Sequence, residues 1–393
     1  MYSVVFVETE RSGEFVCEVP TIPGLKTFST NPFFIGIYTF YQRPNYFELK
    51  VPCTIGNQKA YILLYSELQN VGFYHCPVFL EDGAKSKYWS SFDIQLVTSN
   101  ISNMYAHVKL GFDNLLCIGH RGFGMNKVSP SILENTVNSF NHAMKHGSDM
   151  IELDVQFTKD QIPVIFHDFT IKCSKPIPNE KPVSEENGIY EYAVYQLTLE
   201  QLHNWGIESN YNTPIPSLQE ILTQVPESSP MDIEVKAIHE EIRLFNKVAY
   251  PERNMFVDSV LSVIDKYIGS RNIIFSTFDP MTAIMLKLKQ NKFPVLQLSC
   301  VEDFEPEIVG MNRLMACINA HKDIGINGFV LDSELVLKYK DIAQNIVNQK
   351  YALYTYGKGN YEEKTVLEQL KMGVRGICTD FCEPISKVVH SHM

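Results

Sequence analysis

Acidic and apolar residues alternate in two short stretches of the chain, 152–154 (ELD) and 232–236 (DIEVK). If both are β-strands, Glu152 and Asp154 share one face, and so do Glu234 and Lys236, because successive side chains point to opposite faces. A single stretch of this kind is more often a solvent-facing pair. On a strand covered on both faces, however, such charges cost free energy unless they are paired or bind a metal.

The carboxylates of Glu152, Asp154 and Glu234 are predicted to hold one divalent cation. Oxygen ligands favour a hard ion such as Mg²⁺ or Ca²⁺ over zinc, and Mn²⁺ fits the same number of carboxylates. Two histidines, His120 in IGHRG and His167 in FHD, also follow apolar runs. Each motif alone is weak evidence, since a lone HRG or HD is usually a turn. The combination favours a functional site, because the four motifs end successive strand-like segments.

The sequence pattern after Asn114 predicts the elements that would position these residues. Apolar strand-like runs alternate there with amphipathic helical stretches. This alternation is typical of parallel strands joined by helices. Eight such units match a (β/α)8 TIM barrel, which takes about 250 residues and carries its active site at the C-terminal ends of the strands. The predicted strands are 115–118, 150–157, 231–236, 272–276, 295–299, 327–331, 351–356 and 375–378. The predicted helices include 134–147, 257–269 and 362–373, with Asn135 as a candidate cap of the first.

Residues 1–110 have a different pattern, with short segments rich in β-branched and aromatic residues that are separated by turn-prone pieces. They predict a small all-β, sandwich-like domain of unknown role. The barrel domain is expected over residues 111–393. An insertion is expected at about 169–214, where the chain exceeds what one barrel unit needs.

The composition excludes some classes of function. A net charge of −11 argues against nucleic acid and anionic membranes, which attract basic surfaces. We find neither a signal-peptide pattern nor an apolar run long enough for a transmembrane helix, so a cytoplasmic location is expected. The nine cysteines are scattered and are expected to be free thiols, with no zinc site at Cys378 and Cys382. No sequence feature indicates an oligomeric state.

The motifs HRGFG, ENTVNSF, GSDMIELDVQFTKDQIPVIFHD, IPSLQEIL and DIEVK resemble, in order and spacing, the glycerophosphodiester phosphodiesterase family. The resemblance covers the chain from about residue 114 to the C-terminus. The string DVQFTKDQIPVIFHDF and the β-rich region before the barrel are most similar to the cytosolic eukaryotic glycerophosphocholine phosphodiesterases. That group usually has tryptophan where this chain has Tyr356.

The resemblance implies hydrolysis of a small glycerophosphodiester, here glycerophosphocholine, to sn-glycerol 3-phosphate and choline. It assigns the cation to the three carboxylates and acid–base roles to His120 and His167, without deciding which is the acid. Arg121 and Lys236 would bind the phosphoryl oxygens. Tyr356 is the main candidate for a cation–π contact with choline, followed by Tyr354 and Phe278.

Two alternatives remain at this point. The same resemblance covers enzymes of the lysophospholipase D type, although no amphipathic helix suited to a membrane surface is evident. A catalytically inactive barrel that acts as a binding protein would be expected to have lost ligands, whereas every expected acidic, basic and imidazole position is filled.

Overall fold

The computed structural model describes residues 2–11, 16–17, 25–30, 33–40, 46–55, 57–67, 72–98, 114–128, 131–208, 212–237, 251–299 and 324–392. These residues belong to two compact units, one of which contains the N-terminal strands and the other the barrel strands. Within the described residues, no helix is both long and apolar enough to cross a membrane.

Among its described residues, the first unit contains one antiparallel sheet of eight strands. They are β1 (Tyr2–Arg11), β2 (Val16–Cys17), β3 (Leu25–Thr30), β4 (Phe33–Phe40), β5 (Tyr46–Ile55), β6 (Gln58–Glu67), β7 (Gly72–Leu80) and β8 (Lys85–Thr98). The strand order is β2-β5-β6-β7-β8-β1-β4-β3. Alternate residues of β5 to β8, such as Val51, Ile62, Val78 and Ile94, are buried in one apolar cluster, as the two-residue period of a strand requires. The predicted all-β domain is confirmed.

The second unit is built on a closed barrel. Its strands are β9 (Leu116–Gly119), β10 (Met150–Phe157), β11 (Pro163–Ile165), β12 (Thr170–Cys173), β13 (Ser184–Glu186), β14 (Ile189–Ala193), β15 (Met231–Val235), β16 (Ile273–Thr277), β17 (Val295–Ser299), β18 (Gly328–Asp332), β19 (Ala352–Tyr356) and β20 (Gly376–Thr379). Eight of them pair in parallel in the order β9-β10-β15-β16-β17-β18-β19-β20, and β20 pairs with β9 to close the ring. The predicted TIM barrel is confirmed.

Helices follow most of the barrel strands, as the predicted alternation requires. In the part of the chain that the structure describes, they are α1 (Val137–Lys145), α2 (Leu199–Glu208), α3 (Leu218–Gln224), α4 (Arg253–Tyr267), α5 (Pro280–Lys289), α6 (Ser333–Lys338), α7 (Lys340–Asn348), α8 (Glu363–Lys371) and α9 (Cys382–His390). Thr136, and not Asn135, caps α1, because the Thr136 hydroxyl accepts a hydrogen bond from the Ser139 N–H. The predicted Asn135 cap is therefore wrong by one residue.

The barrel interior is packed with side chains rather than open. Met150, Ile274, Leu296 and Tyr354 belong to one buried cluster. A Cβ atom on Gly376 would lie 2.6 Å from the Tyr354 ring, so glycine makes room for this large side chain. Tyr354 is therefore part of the core, and its predicted place on a head-group surface is wrong.

Between β11 and α3 the chain forms a small antiparallel sheet in the order β12-β14-β13, followed by α2. Its core contains Ile171, Tyr192, Leu197 and Leu202, with Trp205 at its edge. This sheet begins directly after the segment that carries His167.

Candidate active site

Three buried carboxylates meet inside the barrel. One oxygen each from Glu152, Asp154 and Glu234 lies within 4.8 Å of the other two. Asp154 and Glu234 are direct neighbours across the parallel β10–β15 pair. Among the residues that the structure describes, no other group of histidine, cysteine, aspartate and glutamate side chains meets the same criterion for a metal site.

The two-residue period of β10 explains this placement. Met150 lies in the interior cluster, so Glu152 and Asp154, two and four residues later, also face the interior. Leu153 is buried on the other face. In β15, Glu234 sits in register with Asp154 and extends the same polar surface around the barrel wall. The apolar residues between them provide the buried strands that a parallel sheet needs.

Two cations partly balance these carboxylates. Lys236 Nζ donates to Glu234 Oε1 at 3.0 Å and lies 3.3 Å from Asp154 Oδ1. Arg121 donates from its guanidinium to Glu134 Oε1 at 2.9 Å, and its Nε lies 3.7 Å from Asp154 Oδ2. Asp154 thus contacts both predicted phosphate-binding cations, and Glu234 contacts one of them.

The charges act strongly on one another. Although burial disfavours the charged form, Glu234 and Asp154 raise the pKa of the Lys236 ammonium. Burial would raise the pKa of Asp154, but the charges of Lys236, His167 and Arg121 lower it well below its usual range. Asp154 is accordingly a buried carboxylate that stays ionised because three cationic or imidazole groups surround it.

Glu152 lies in a different environment from Asp154. Burial, and then the charges of Asp154 and Glu234, raise the pKa of Glu152 well above its usual range. One of its oxygens accepts a hydrogen bond from the Arg121 backbone N–H at 2.8 Å. The other, Oε1, is buried and has no hydrogen-bond partner among the described residues. A buried acceptor without a donor is costly, and a divalent cation would satisfy it.

Asp232 lies two residues before Glu234 on the same face of β15, in register with Glu152 across the β10–β15 pair. Burial, partly offset by a hydrogen bond from Ser276, raises the pKa of Asp232 to about 7. With Glu134 included, five carboxyl groups lie in this region against the two permanent cations Arg121 and Lys236. The donor set therefore fits a hard divalent cation held by oxygen ligands.

His120 and Arg121 lie in the tight turn that follows β9. Arg121 has a φ of 50° and Gly122 a φ of 91°, both in the left-handed region. A Cβ atom at Gly122 would lie 2.4 Å from Ser139 Oγ, so only glycine fits this position. The turn aims the Arg121 N–H at Glu152 and brings the Arg121 carbonyl to the Asn135 N–H at 2.9 Å.

His120 is held by a buried acid. Its Nδ1 lies 2.7 Å from Asp380 Oδ1, so Nδ1 carries the proton and donates it, because a carboxylate can only accept. Asp380 also accepts from the Met125 N–H at 3.0 Å and from the Tyr361 hydroxyl. Burial alone would raise the pKa of Asp380, but these hydrogen bonds and the charge of His120 lower it.

His167 is held in the same way by a more exposed partner. Its Nδ1 donates to Asp168 Oδ1 at 2.7 Å, and this hydrogen bond lowers the pKa of Asp168. The segment lies beside the carboxylates, because the Phe166 N–H donates to the Asp154 carbonyl at 3.0 Å. Both histidines therefore have Nε2 left to face a substrate.

Asn135 supports the carboxylates directly. Its Nδ2 donates to Asp154 Oδ2 at 2.8 Å, and its Oδ1 accepts from the Asp154 backbone N–H at 3.3 Å. Asn135 reaches this position because its backbone adopts a φ of 57°, a conformation that asparagine tolerates better than most residues.

The aromatic candidates occupy the ends of two barrel strands. Tyr356 ends β19, and Phe278 follows β16. Their rings meet edge to face, with centroids 6.0 Å apart and an interplanar angle of 90°. The Tyr356 hydroxyl donates to the Ser299 carbonyl at 3.5 Å. Tyr356 is thus on the expected side of the barrel, half-buried and supported by a second ring.

The sequence alone did not indicate Asp380, Tyr361 or the contact between Asn135 and Asp154. A signal was present for Asp380, since it lies two residues beyond the strand predicted at 375–378, at the end of the barrel expected to face the active site. In the sequence, Asn135 stands out only as a candidate helix cap.

A closed barrel with two carboxylate-held histidines at its mouth, beside a buried acidic cluster that could hold a metal ion, is an arrangement suited to a hydrolytic enzyme. A family model described as the glycerophosphoryl diester phosphodiesterase family matches residues 120–383. The chain belongs to this family. Its enzyme type is accordingly a glycerophosphodiester phosphodiesterase, a phosphoric diester hydrolase.

Several known proteins have sequences similar to this chain. Glycerophosphodiester phosphodiesterase GDPD2 of Arabidopsis thaliana is 31% identical over 293 residues, which cover 68% of this chain and 75% of the relative. Glycerophosphocholine phosphodiesterase GPCPD1 of Mus musculus is 27% identical over 297 residues, covering 67% of this chain but 43% of the mouse protein.

Solved structures share the fold. A glycerophosphodiester phosphodiesterase from Parabacteroides distasonis superposes with a TM-score of 0.51 at 18% identity, covering 72% of this chain and 99% of that structure. A phosphodiesterase from Oleispira antarctica in complex with the product sn-glycerol-3-phosphate gives a TM-score of 0.50 at 18% identity, covering 70% and 97% respectively.

Proposed function

We propose that this enzyme hydrolyses glycerophosphocholine to sn-glycerol 3-phosphate and choline with the help of one divalent cation. The observation that carries the proposal is the meeting of Glu152, Asp154 and Glu234 inside the barrel, with excess negative charge. A phosphodiester is itself an anion, so a site this acidic needs a bound cation before it can bind the phosphodiester.

Glu152, Asp154 and Glu234 would hold the cation, and the orphaned Oε1 of Glu152 supports this role. A bound Mg²⁺ or Ca²⁺ ion, or Mn²⁺ in their place, supplies positive charge for a phosphoryl oxygen. Lys236 already contacts two of the ligands. It would keep them in place, and its own charge would be available to the phosphoryl group.

His120 and His167 form the acid–base pair in this proposal. Each Nδ1 is committed to a carboxylate, so each Nε2 is the atom that exchanges a proton with the substrate. One imidazole accepts a proton from the attacking group as the new P–O bond forms. The other donates a proton to the leaving alkoxide as the old P–O bond breaks.

Arg121 and Lys236 provide donors for the non-bridging oxygens. The Arg121 Nε makes no hydrogen bond to any described residue, although it lies 3.7 Å from Asp154 Oδ2. Fixed positive groups aimed at oxygens that gain charge in the transition state are usually a large part of catalysis.

The choline preference rests on Tyr356 and on sequence similarity. The mouse relative is named a glycerophosphocholine phosphodiesterase, and the Tyr356–Phe278 pair offers an aromatic surface to a quaternary ammonium group.

The decisive experiment measures turnover of glycerophosphocholine, glycerophosphoethanolamine, glycerophosphoglycerol and lysophosphatidylcholine, each with and without EDTA. We expect the highest kcat/KM with glycerophosphocholine and loss of activity in EDTA, restored by added Mg²⁺, Ca²⁺ or Mn²⁺. Full turnover in EDTA would exclude the metal role. Faster turnover of lysophosphatidylcholine would favour a lysophospholipase D activity, and no turnover of any substrate would favour a binding role.

The histidine roles have their own test. His120→Ala and His167→Ala should each lower kcat on the order of 100-fold or more, with metal binding retained. Near wild-type kcat in either variant would exclude that residue from acid–base catalysis.

A further inference from the structure

One buried amide lies between the metal-ligand strand and the segment that carries His167. Gln156 is on β10, two residues beyond Asp154 and on the same face, and it is 5% exposed. Its Nε2 lies 2.9 Å from the Phe166 carbonyl, 3.1 Å from the His167 carbonyl and 2.6 Å from the Asp168 carbonyl.

The chemistry of these contacts identifies the side-chain nitrogen as the donor. Three carbonyl oxygens can only accept hydrogen bonds, and an amide NH₂ group offers two hydrogens that three close acceptors can share. The three carbonyls lie beyond Ile165, where β11 ends, so they are outside the strand ladder. Gln156 therefore gathers the backbone of residues 166–168 around one point on β10.

We propose that Gln156 is a positioning residue that holds the backbone of His167 at a fixed distance from the metal ligands. This inference rests on the proposed acid–base role of His167. Asp168 orients the imidazole ring through Nδ1 but is 69% exposed, so it is not anchored by packing. Gln156 supplies the anchor, because it joins the His167 and Asp168 backbone to the strand that carries Glu152 and Asp154.

The alternative is a purely structural role, and the chain contains a matched control for it. Gln297 on β17 is 3% exposed, and its Nε2 contacts the carbonyls of Thr277, Phe278 and Leu298 at 3.1, 3.0 and 2.8 Å. Two of these carbonyls lie at the end of β16 and the third belongs to the next residue of β17, so the arrangement is similar, but the segment that Gln297 holds carries no histidine. Loss of either amide leaves three carbonyl oxygens without this donor, so the two losses should lower the free energy of unfolding by similar amounts.

The experiment compares Gln156→Met with Gln297→Met, since methionine keeps the length of the side chain and removes the donor. We expect similar shifts in Tm. Gln156→Met should lower kcat for glycerophosphocholine on the order of 10- to 100-fold, because small displacements of a catalytic group are costly, with KM within about threefold. Gln297→Met should keep kcat within about threefold, and any effect that it has through Phe278 on the proposed head-group surface should fall on KM.

A double variant tests whether Gln156 acts through His167. Gln156→Met should lower the residual kcat of His167→Ala by less than about twofold, because the group that it positions is already absent. Gln156→Asn keeps the NH₂ group on a shorter side chain and should give an intermediate kcat. The asparagine variant also provides the test of the NH₂ group's position if the methionine variant fails to fold.

Two results would overturn the inference and leave the proposed function intact. One is a wild-type kcat in both the methionine and the asparagine variants of Gln156 while His167→Ala is inactive. The other is a full multiplicative loss in the double variant. A wild-type kcat in His167→Ala would instead remove the proposed role of His167 itself.

Discussion

His120 donates from Nδ1 to Asp380 Oδ1 over 2.7 Å, although 260 positions separate the two residues in the chain. The Asp380 side chain is completely buried, whereas the acid that holds His167 is largely exposed. Closure of the barrel through the β20–β9 pair creates this contact, because it sets the ends of the first and last strands side by side. His120 is therefore the more rigidly held of the two histidines.

Asp380→Asn should lower kcat about 100-fold or more. The asparagine amide can donate from its NH₂ group to Nδ1 of His120. It then favours the tautomer whose proton is on Nε2, so Nε2 is no longer the free acceptor that proton exchange with the substrate needs. The measurement is kcat for glycerophosphocholine, with Asp168→Asn as the comparison. Because Asp168 is exposed and screened, its loss should cost less, and equal losses would contradict the importance of burial.

Asp380 should also contribute to the pH dependence of stability. Its pKa in the folded protein is lowered, so its ionised form stabilises the fold above the unfolded-state pKa of about 3.9. That contribution is lost as the pH falls through the folded-state pKa. The difference in unfolding free energy between wild type and Asp380→Asn should therefore be present at pH 5 and decline below about pH 3.9. A difference that grows on acidification below pH 4 would contradict this assignment.

Asn135→Ala should weaken metal binding more than it weakens the fold. Asn135 contacts both the carboxylate and the backbone N–H of Asp154, and groups that orient metal ligands are commonly worth 10- to 100-fold in affinity. A titration of the EDTA-treated variant with Mg²⁺ and Mn²⁺, followed by calorimetry, measures the change. Unaltered affinity would show that Asp154 holds its orientation without Asn135.

Periodicity was sufficient to predict most of the barrel. The strand predicted at 150–157 is found at Met150–Phe157, and the one predicted at 115–118 is found at Leu116–Gly119. The reason is physical, since strands buried on both faces must be apolar except where a site interrupts them. Polar residues such as Glu152 and Glu234 are conspicuous against that background.

The remaining part of the site depends on features that periodicity does not encode. Arg121 and Asn135 adopt left-handed backbone conformations. Non-glycine residues adopt these conformations infrequently, and no local sequence pattern predicts them here. The partner of His120 depends on which strands become neighbours when the barrel closes. Gln156 resembles any polar residue at the end of a strand until the path of residues 166–168 is known.

Gly376→Ala should destabilise the barrel by about 1–3 kcal/mol, because the added Cβ would lie 2.6 Å from the buried Tyr354 ring. Urea denaturation measures the loss. Tyr354→Leu removes the ring, so the double variant should be more stable than the sum of the two single losses predicts. Strict additivity would show that the clash with Tyr354 is not the cause.

Tyr356 should affect substrates with a cationic head group selectively. Tyr356→Leu removes the π-face, worth about 0.5–1 kcal/mol at a partly exposed site, so KM for glycerophosphocholine should rise roughly two- to fivefold. Tyr356→Trp offers a stronger π-face and should lower that KM. Glycerophosphoglycerol has no cation, and its KM should be unchanged in the leucine variant. Equal effects on both substrates would mean that Tyr356 shapes the barrel mouth without recognising choline, and its contact with Phe278 would then be a packing contact only.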